Sequence, residues 1–333
     1  MRTRRLFLIA IVALGLAPGH LIRSDVPPPD LSAAVTLEAL AYSEAADGPL
    51  KLAGLWQLTS ENDGFGGYSA MVTLDELTFL AGSDAGRVLL LTRPDRDGPD
   101  PVVAGFKGFS NDDWIRIDLE ALTRDPETGE FWAGIEGSNH LVRFNSDRTW
   151  EAAIKQPAMK DWAHNLGAES IVRLGDGRLV IIAEEDRGGG THEALVFSGD
   201  PVSGAEPIQF TVAGQAGYNP SEATLLPDGR VLVVLRAFEL GLPPYFTAKL
   251  AVFEPQEIES EATVSLDEIA DLASPFPQEN FEGAVVTEEA GGDWAIWLIS
   301  DDNFSQFQRT LILRLDWSQA ARSQADARQK ARR

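Results

Sequence analysis

Ala168-Glu169-Ser170-Ile171-Val172, a Gly175-Asp176-Gly177 turn, then Leu179-Val180-Ile181-Ile182: this stretch decides how the chain is read. A small residue and an acid open a short apolar strand, Asp and Gly make the turn, and a β-branched run returns antiparallel to the first. The same pattern occurs four more times. Tyr68-Ser69-Ala70-Met71-Val72 leads to Thr78-Phe79-Leu80-Ala81, and Leu119-Glu120-Ala121-Leu122 leads to Phe131-Trp132-Ala133-Gly134. Further on, Ser221-Glu222-Ala223-Thr224-Leu225 leads to Val231-Leu232-Val233-Val234, and Phe281-Glu282-Gly283-Ala284-Val285 leads to Ala295-Ile296-Trp297-Leu298. The anchors Ser69, Glu120, Glu169, Glu222 and Glu282 stand 51, 49, 53 and 60 residues apart.

A repeat of about fifty residues holding several short strands is the mark of a β-propeller blade. No helical pattern of 10–15 residues falls between the strands, which argues against a parallel α/β fold. A body running from about residue 33 to 317 is long enough for five or six blades. The five anchors supply five. The flanking strands Leu52-Ala53-Gly54-Leu55-Trp56-Gln57-Leu58 and Thr310-Leu311-Ile312-Leu313-Arg314-Leu315 are expected to build a sixth from both chain ends and so close the ring without an open edge. The expected fold is therefore an all-β, six-bladed propeller closed by its N- and C-terminal strands. A β-sandwich pair is the alternative.

In a propeller the innermost strand of each blade lines the axis, so a residue repeated at its start returns to one axial spot. Glu120, Glu169, Glu222 and Glu282 would meet there, with Asp301 close by. A second polar set sits at the ends of the second strands: Ser83 and Asp84, Glu136, Glu184 to Asp186, Arg236, and Ser300 to Asn303. Converging carboxylates repel one another unless a cation or protons intervene. Calcium suits them, since it takes six to eight oxygens in irregular geometry. Zinc does not, because the chain has no Cys and its four His show no ligand spacing. The same glutamates could instead act as clamps that accept backbone N–H groups of the next blade, and the sequence leaves both roles open. Candidate catalytic residues are His164 near the channel mouth and Arg236 and Arg309, the bases best placed to face an anionic ligand. Ser69 lacks a His–Asp pattern, and Gly188-Gly189-Gly190 lacks the Lys-Ser/Thr of a phosphate loop, so neither a serine nucleophile nor a nucleotide cofactor is expected.

Composition narrows the partners. The 333 residues carry 28 Lys+Arg against 51 Asp+Glu, a formal charge of −23. Such acidity argues against nucleic acid and favours cations. Residues 1–19 read as an export signal: Arg2, Arg4 and Arg5, the apolar run Leu6 to Leu16, then small Ala17 and Gly19. Thr3-Arg4-Arg5-Leu6-Phe7-Leu8 resembles the twin-arginine motif, and the run is too short to span a bilayer comfortably. A periplasmic or secreted monomer follows as the expectation, with no stable membrane insertion of the mature chain. Residues 20–32 form a spacer stiffened by Pro27-Pro28-Pro29, and 318–333 a basic, solvated tail.

Ile299-Ser300-Asp301-Asp302-Asn303-Phe304 with Gln308-Arg309-Thr310-Leu311, Asn280-Phe281-Glu282-Gly283, Asp118-Leu119-Glu120-Ala121-Leu122 and Leu226-Pro227-Asp228-Gly229-Arg230 resemble the phytase-like family described as having esterase-like activity of phytase. The resemblance runs from about residue 52 to 317. It implies an exported propeller and phosphoester hydrolysis. Only Glu282-Gly283 keeps the Glu-Gly pair that the family shows at several anchors. Three functions are compatible: a calcium-assisted phosphoesterase, a non-enzymatic propeller that binds a small molecule or partner, and a metal-dependent lactonase-type hydrolase.

Overall fold

The computed structural model describes residues 29–43, 48–108, 118–163 and 166–332. The expected export signal, residues 20–28 of the spacer, and His164 lie outside the described residues. Strands β1 (Val35–Ala39) and β2 (Lys51–Ser60) come first. Blade one is β3 (Tyr68–Thr73), β4 (Thr78–Ser83), β5 (Arg87–Thr92) and β6 (Val102–Gly105). Blade two is β7 (Leu119–Arg124), β8 (Phe131–Ile135), β9 (His140–Phe144) and β10 (Trp150–Lys155). Blade three begins with β11 (Ala168–Arg173), β12 (Leu179–Asp186), β13 (Thr191–Phe197) and β14 (Pro207–Ala213). Blade four holds β15 (Asn219–Leu225), β16 (Val231–Glu239) and β17 (Tyr245–Phe253). The short β18 (Thr263–Ser265) then adds in parallel to β14, and β19 (Asp267–Asp271) adds antiparallel to β17. Blade five is β20 (Asn280–Glu288), β21 (Trp294–Asp301) and β22 (Thr310–Trp317), and the chain ends in helix α1 (Gln319–Arg332).

The ring has five blades, not six. The two flanking strands pair with each other, Leu55 opposite Leu313 and Trp56 opposite Ile312, but within the sheet of β20 and β21. They complete the outer half of blade five, in the order β20-β21-β22-β2-β1. The expected closure by both chain ends is therefore present, and the extra blade is not. The inner strands β3, β7, β11, β15 and β20 each contact the next, and β20 contacts β3.

Five apolar cores separate the blades, one at each interface. Between blades four and five, Leu232, Leu250, Ile296, Leu313 and Trp317 meet; between five and one, Phe79, Leu89, Trp297 and Ile312. Each sheet is covered on both faces, which is why runs such as Leu179-Val180-Ile181-Ile182 are apolar at every position rather than alternating. The hairpin between β11 and β12 is set by Asp176, whose carboxylate accepts the N–H of Arg178 (3.0 Å), with Gly177 in the left-handed region (φ 88°). Asp228 and Gly229 repeat this between β15 and β16.

The C-terminal segment differs from the solvated tail expected of it. Its helix has no apolar stripe, but Arg322 is buried: it stacks 3.7 Å from the Trp294 ring centroid and donates to the carbonyls of Trp317 (2.7 Å) and Gly292. Arg230 adds an ion pair to Asp326. Among the described residues no helix is long and apolar enough to cross a membrane.

Candidate functional site at the acidic mouth

Every inner strand carries one extra residue where its pairing to the second strand begins. The register slips between Tyr68 and Ala70, Leu119 and Ala121, Ala168 and Ser170, Pro220 and Glu222, and Phe281 and Gly283. A bulge re-aims the unpaired side chain, here toward the axis. The bulged residues are Ser69, Glu120, Glu169, Ser221 and Glu282. The repeated acid in the sequence thus marks a bulge, and in blade four the acid lies one residue past it.

Glu222 is therefore not part of the ring expected of it. Its side chain is 1 % exposed and accepts the N–H of Ala223 (2.8 Å) and, across the axis, that of Met71 (3.4 Å). Gly283 gives it passage, since a Cβ there would stand 2.9 Å from the same Met71 nitrogen. Burial raises the Glu222 carboxyl well above the usual range. This glutamate is a backbone clamp between blades, the second of the two roles left open by the sequence.

A second ring lies above the bulges, where the second strands end. It consists of Asp84, Glu136, Glu184, Arg236 and Asp301, one per blade. The antiparallel register makes the two rings adjacent: Tyr68 faces Ser83, Leu119 faces Ile135, and Asn280 faces Asp301. Together with Ser69, Glu120, Glu169, Glu282 and Asn303 they line one cavity of about 160 Å³. Among the described residues, seven carboxylates and one guanidinium face this space. Gly67, at φ 64°, lets the wall close, because a Cβ there would lie 2.3 Å from Asp84 Oδ1 and 2.6 Å from the Phe304 ring.

Blade four is chemically inverted, with the hydroxyl of Ser221 and the guanidinium of Arg236 where its neighbours hold acids. Arg236 donates to Glu184 (2.7 Å) on one side and to Glu282 and Asn280 (2.8 Å) on the other. Its charge is thereby spent on the half of the cup near blades three to five. Among the described residues the far half has no cation. Burial, then repulsion from Glu136 and Asp118, pushes the Glu120 carboxyl up to about 8. Burial and neighbouring acids likewise raise Asp84 to about 7 and Glu136 to about 7. Glu169 is raised well above the usual range by burial and by Glu120 and Glu184, and Asp301 to about 6, chiefly by burial.

Of the candidates from sequence, Glu120, Glu169, Glu282, Asp301 and Arg236 share this cavity, and Glu222 does not reach it. Arg309 lies half exposed, paired with Glu279 (2.7 Å), and does not line it either. Asp118, one residue before β7, was missed: it, Glu120 and Glu136 can each present an oxygen so that all lie within 4.8 Å of one another. Oxygen donors at that spacing suit a calcium ion, whose ligands sit at 2.3–2.6 Å. Among the described residues no histidine lines the cup; His192 is buried with Nδ1 2.9 Å from the Glu184 carbonyl.

The family described as phytase-like, esterase-like activity of phytase, matches residues 63–304, from just before β3 to just after β21. No curated protein matches the chain. Among solved structures it is similar to a glucose dehydrogenase (11 % identity, TM-score 0.45, covering 78 % of this chain and 98 % of that one). It is also similar to the WD40 β-propeller domain of Doa1 (10 %, 0.37, 82 % and 98 %). A third is the extracellular domain of the putative hybrid two-component system BT3049 from B. thetaiotaomicron (12 %, 0.38, 74 %), of which the chain spans 27 %.

Proposed function

The chain belongs to the phytase-like family, and we propose that it is an exported, calcium-assisted phosphoesterase working in the acidic mouth of its channel. One observation carries this reading: seven carboxylates face a cavity of about 160 Å³, and the single guanidinium there is already committed to two of them. A phosphate ester could not approach such a surface unaided. Asp118, Glu120 and Glu136 would hold the ion, with Asp84 beside them. When bound, a divalent cation supplies the positive charge that a phosphoryl oxygen needs and polarises it. Glu169, whose carboxyl is raised well above the usual range by burial, is the chain's own acid for a leaving alkoxide. Arg236 holds Glu184 and Glu282 in place through its two ion pairs.

The test is release of inorganic phosphate from glycerol 2-phosphate, whose leaving group is an alkoxide, with and without calcium, in the native protein and in Glu169→Gln. Calcium-dependent hydrolysis that falls about 100-fold in Glu169→Gln supports the reading. Calcium binding without hydrolysis of phosphoesters or lactones moves the protein to the second reading, a propeller that binds a small ligand at the same mouth. That reading draws on the same commitment of Arg236, which leaves no free base on the cavity for a phosphate.

A further inference from the structure

The acidic cup is blind and small. One level below the bulges, Ala70, Ala121, Ser170 and Glu222 are each at most 1 % exposed, and Gly283 is buried among them. The next level, Met71, Leu122, Ile171, Ala223 and Ala284, is at most 4 % exposed. A separate cavity opens at the far ends of the same inner strands. Sites that enclose a whole drug-sized ligand measure about 300–1,000 Å³, whereas the cup offers about 160 Å³. It has room for a phosphoryl group and an ion, and the rest of a ligand must lie across the rim.

That rim is uneven. On blade four, β16 and β17 run on past Arg236 for three rungs, with Phe238 opposite Phe246 and Glu239 opposite Tyr245, about 10 Å of ribbon. The inner strand β15 begins only at Asn219, opposite Arg236, so it does not cover this ribbon. Side chains two residues apart on a strand share a face. Leu232 and Val234 face the core between blades four and five, so Arg236 and Phe238 turn toward that side as well. The Phe246 ring lies 5.8 Å from the Arg236 guanidinium, and Phe238 packs edge-on against it at 5.2 Å. An aromatic shelf thus continues from an arginine of the cavity wall, and Phe238 on it is 56 % exposed. The hairpin tip, Leu240-Gly241-Leu242-Pro243-Pro244, carries no charge. On blade five, Phe304 follows Asn303 of the cavity wall, with Phe307 exposed beyond it. Of the eleven large hydrophobics exposed among the described residues, six stand on these two loops, a concentration that marks a binding surface. Arg187 and Arg309, on the loops after β12 and β21, are already paired with Glu185, Glu193 and Glu279.

Resting on the reading of the cup as a phosphate site, we propose that its ligand is a phosphomonoester of a single apolar alcohol. The phosphate enters the cup and the alkyl body lies across the Phe238–Phe246 shelf. A polyol bearing several phosphates would meet an uncharged hairpin tip where it needs bases.

The experiment pairs calorimetric titration of methyl-, butyl- and hexylphosphonate, which resist hydrolysis, with turnover of hexyl phosphate and glycerol 2-phosphate, all with calcium present. It uses the native protein, Phe238→Ser and, as a control, Leu77→Ser on the exposed β3–β4 turn at the opposite end. Affinity should rise about fourfold from butyl- to hexylphosphonate, as two half-buried methylenes would give. The rise from methyl to hexyl should shrink at least threefold in Phe238→Ser and persist in Leu77→Ser. No phosphonate binding, binding independent of chain length, or an unchanged rise in folded Phe238→Ser overturns the proposal, while hydrolysis of glycerol 2-phosphate would leave the phosphoesterase reading standing. Graded phosphonate binding without turnover of either ester does the reverse, keeping the ligand class and overturning hydrolysis. Self-association or vesicle binding that Phe238→Ser abolishes, with the phosphonate series unchanged, would give the shelf to a second copy or a bilayer and overturn the proposal too.

Discussion

The two mouths are formed by opposite ends of the same five strands, yet one gathers seven carboxylates around a single arginine and the other is lined mainly by aliphatic side chains and threonines, with Arg124 and with Arg173, which is paired to Asp125. The difference arises from local backbone geometry. At the acidic end each inner strand bulges, so one side chain per blade leaves the sheet and turns to the axis. At the other end the pairing is regular, and what reaches the cavity is whatever the strand carries there, mostly aliphatic. Charge concentrated by repetition is expensive, so the acidic mouth must hold protons, its own arginine or a foreign cation. The other mouth has no such demand.

That contrast can be broken most forcefully at its arginines. Arg236→Met leaves Glu184 and Glu282 buried without a cationic partner and should cost about 3–5 kcal/mol of unfolding free energy in urea. Arg124→Gln at the opposite mouth, half-buried over Phe131 and with no carboxylate partner among the described residues, should change it by less than about 0.5 kcal/mol. Equal losses would show that the arginines are merely packed.

Calcium should act on one mouth only. At 100 times its dissociation constant it should raise the unfolding free energy by about 2.7 kcal/mol, reversibly with a chelator. Glu120→Gln should lose most of that gain.

The acidity of the cup also fixes the direction of the pH response. Asp84, Glu120 and Glu136 have higher pKa values folded than unfolded, so between about pH 4 and 8 the unfolded chain binds fewer protons than the native one. Calcium-free stability is therefore greatest at the acid end of that window and falls as pH rises. Melting curves at pH 5 and pH 8 should show this fall, and a shallower one in Glu120→Gln.

The smallest effect belongs to the clamp. Glu222→Gln puts an amide donor near the Met71 and Ala223 N–H groups and should cost about 1–2 kcal/mol while leaving calcium affinity unchanged. A tenfold change in affinity would return Glu222 to the cup.

Much of this was legible in the repeat. The strand pairs and their turns follow from Leu174-Gly175-Asp176-Gly177-Arg178 and its equivalents, and four of five anchors fall on the bulges. The blade count was not, because Leu52-Leu58 and Thr310-Leu315 read as strands without revealing which sheet receives them. The offset of Glu222 was hidden too: Ser221-Glu222 offers two polar neighbours, and only the register says which one is unpaired. The second ring was visible as polar residues at strand ends, but its meeting with the first depends on the pairing. Asp118 carried no repeat signal at all. Arg309 showed its charge, and nothing in the sequence showed that Glu279 takes it.

The central claim, that one half of the cup awaits a cation its own arginine cannot replace, is tested by calorimetric calcium titration at pH 7.0 in two buffers of different ionisation enthalpy. The account predicts one calcium per chain, protons released on binding, and at least tenfold weaker binding in Glu120→Gln. Binding without proton release, or unchanged by Glu120→Gln, would contradict it.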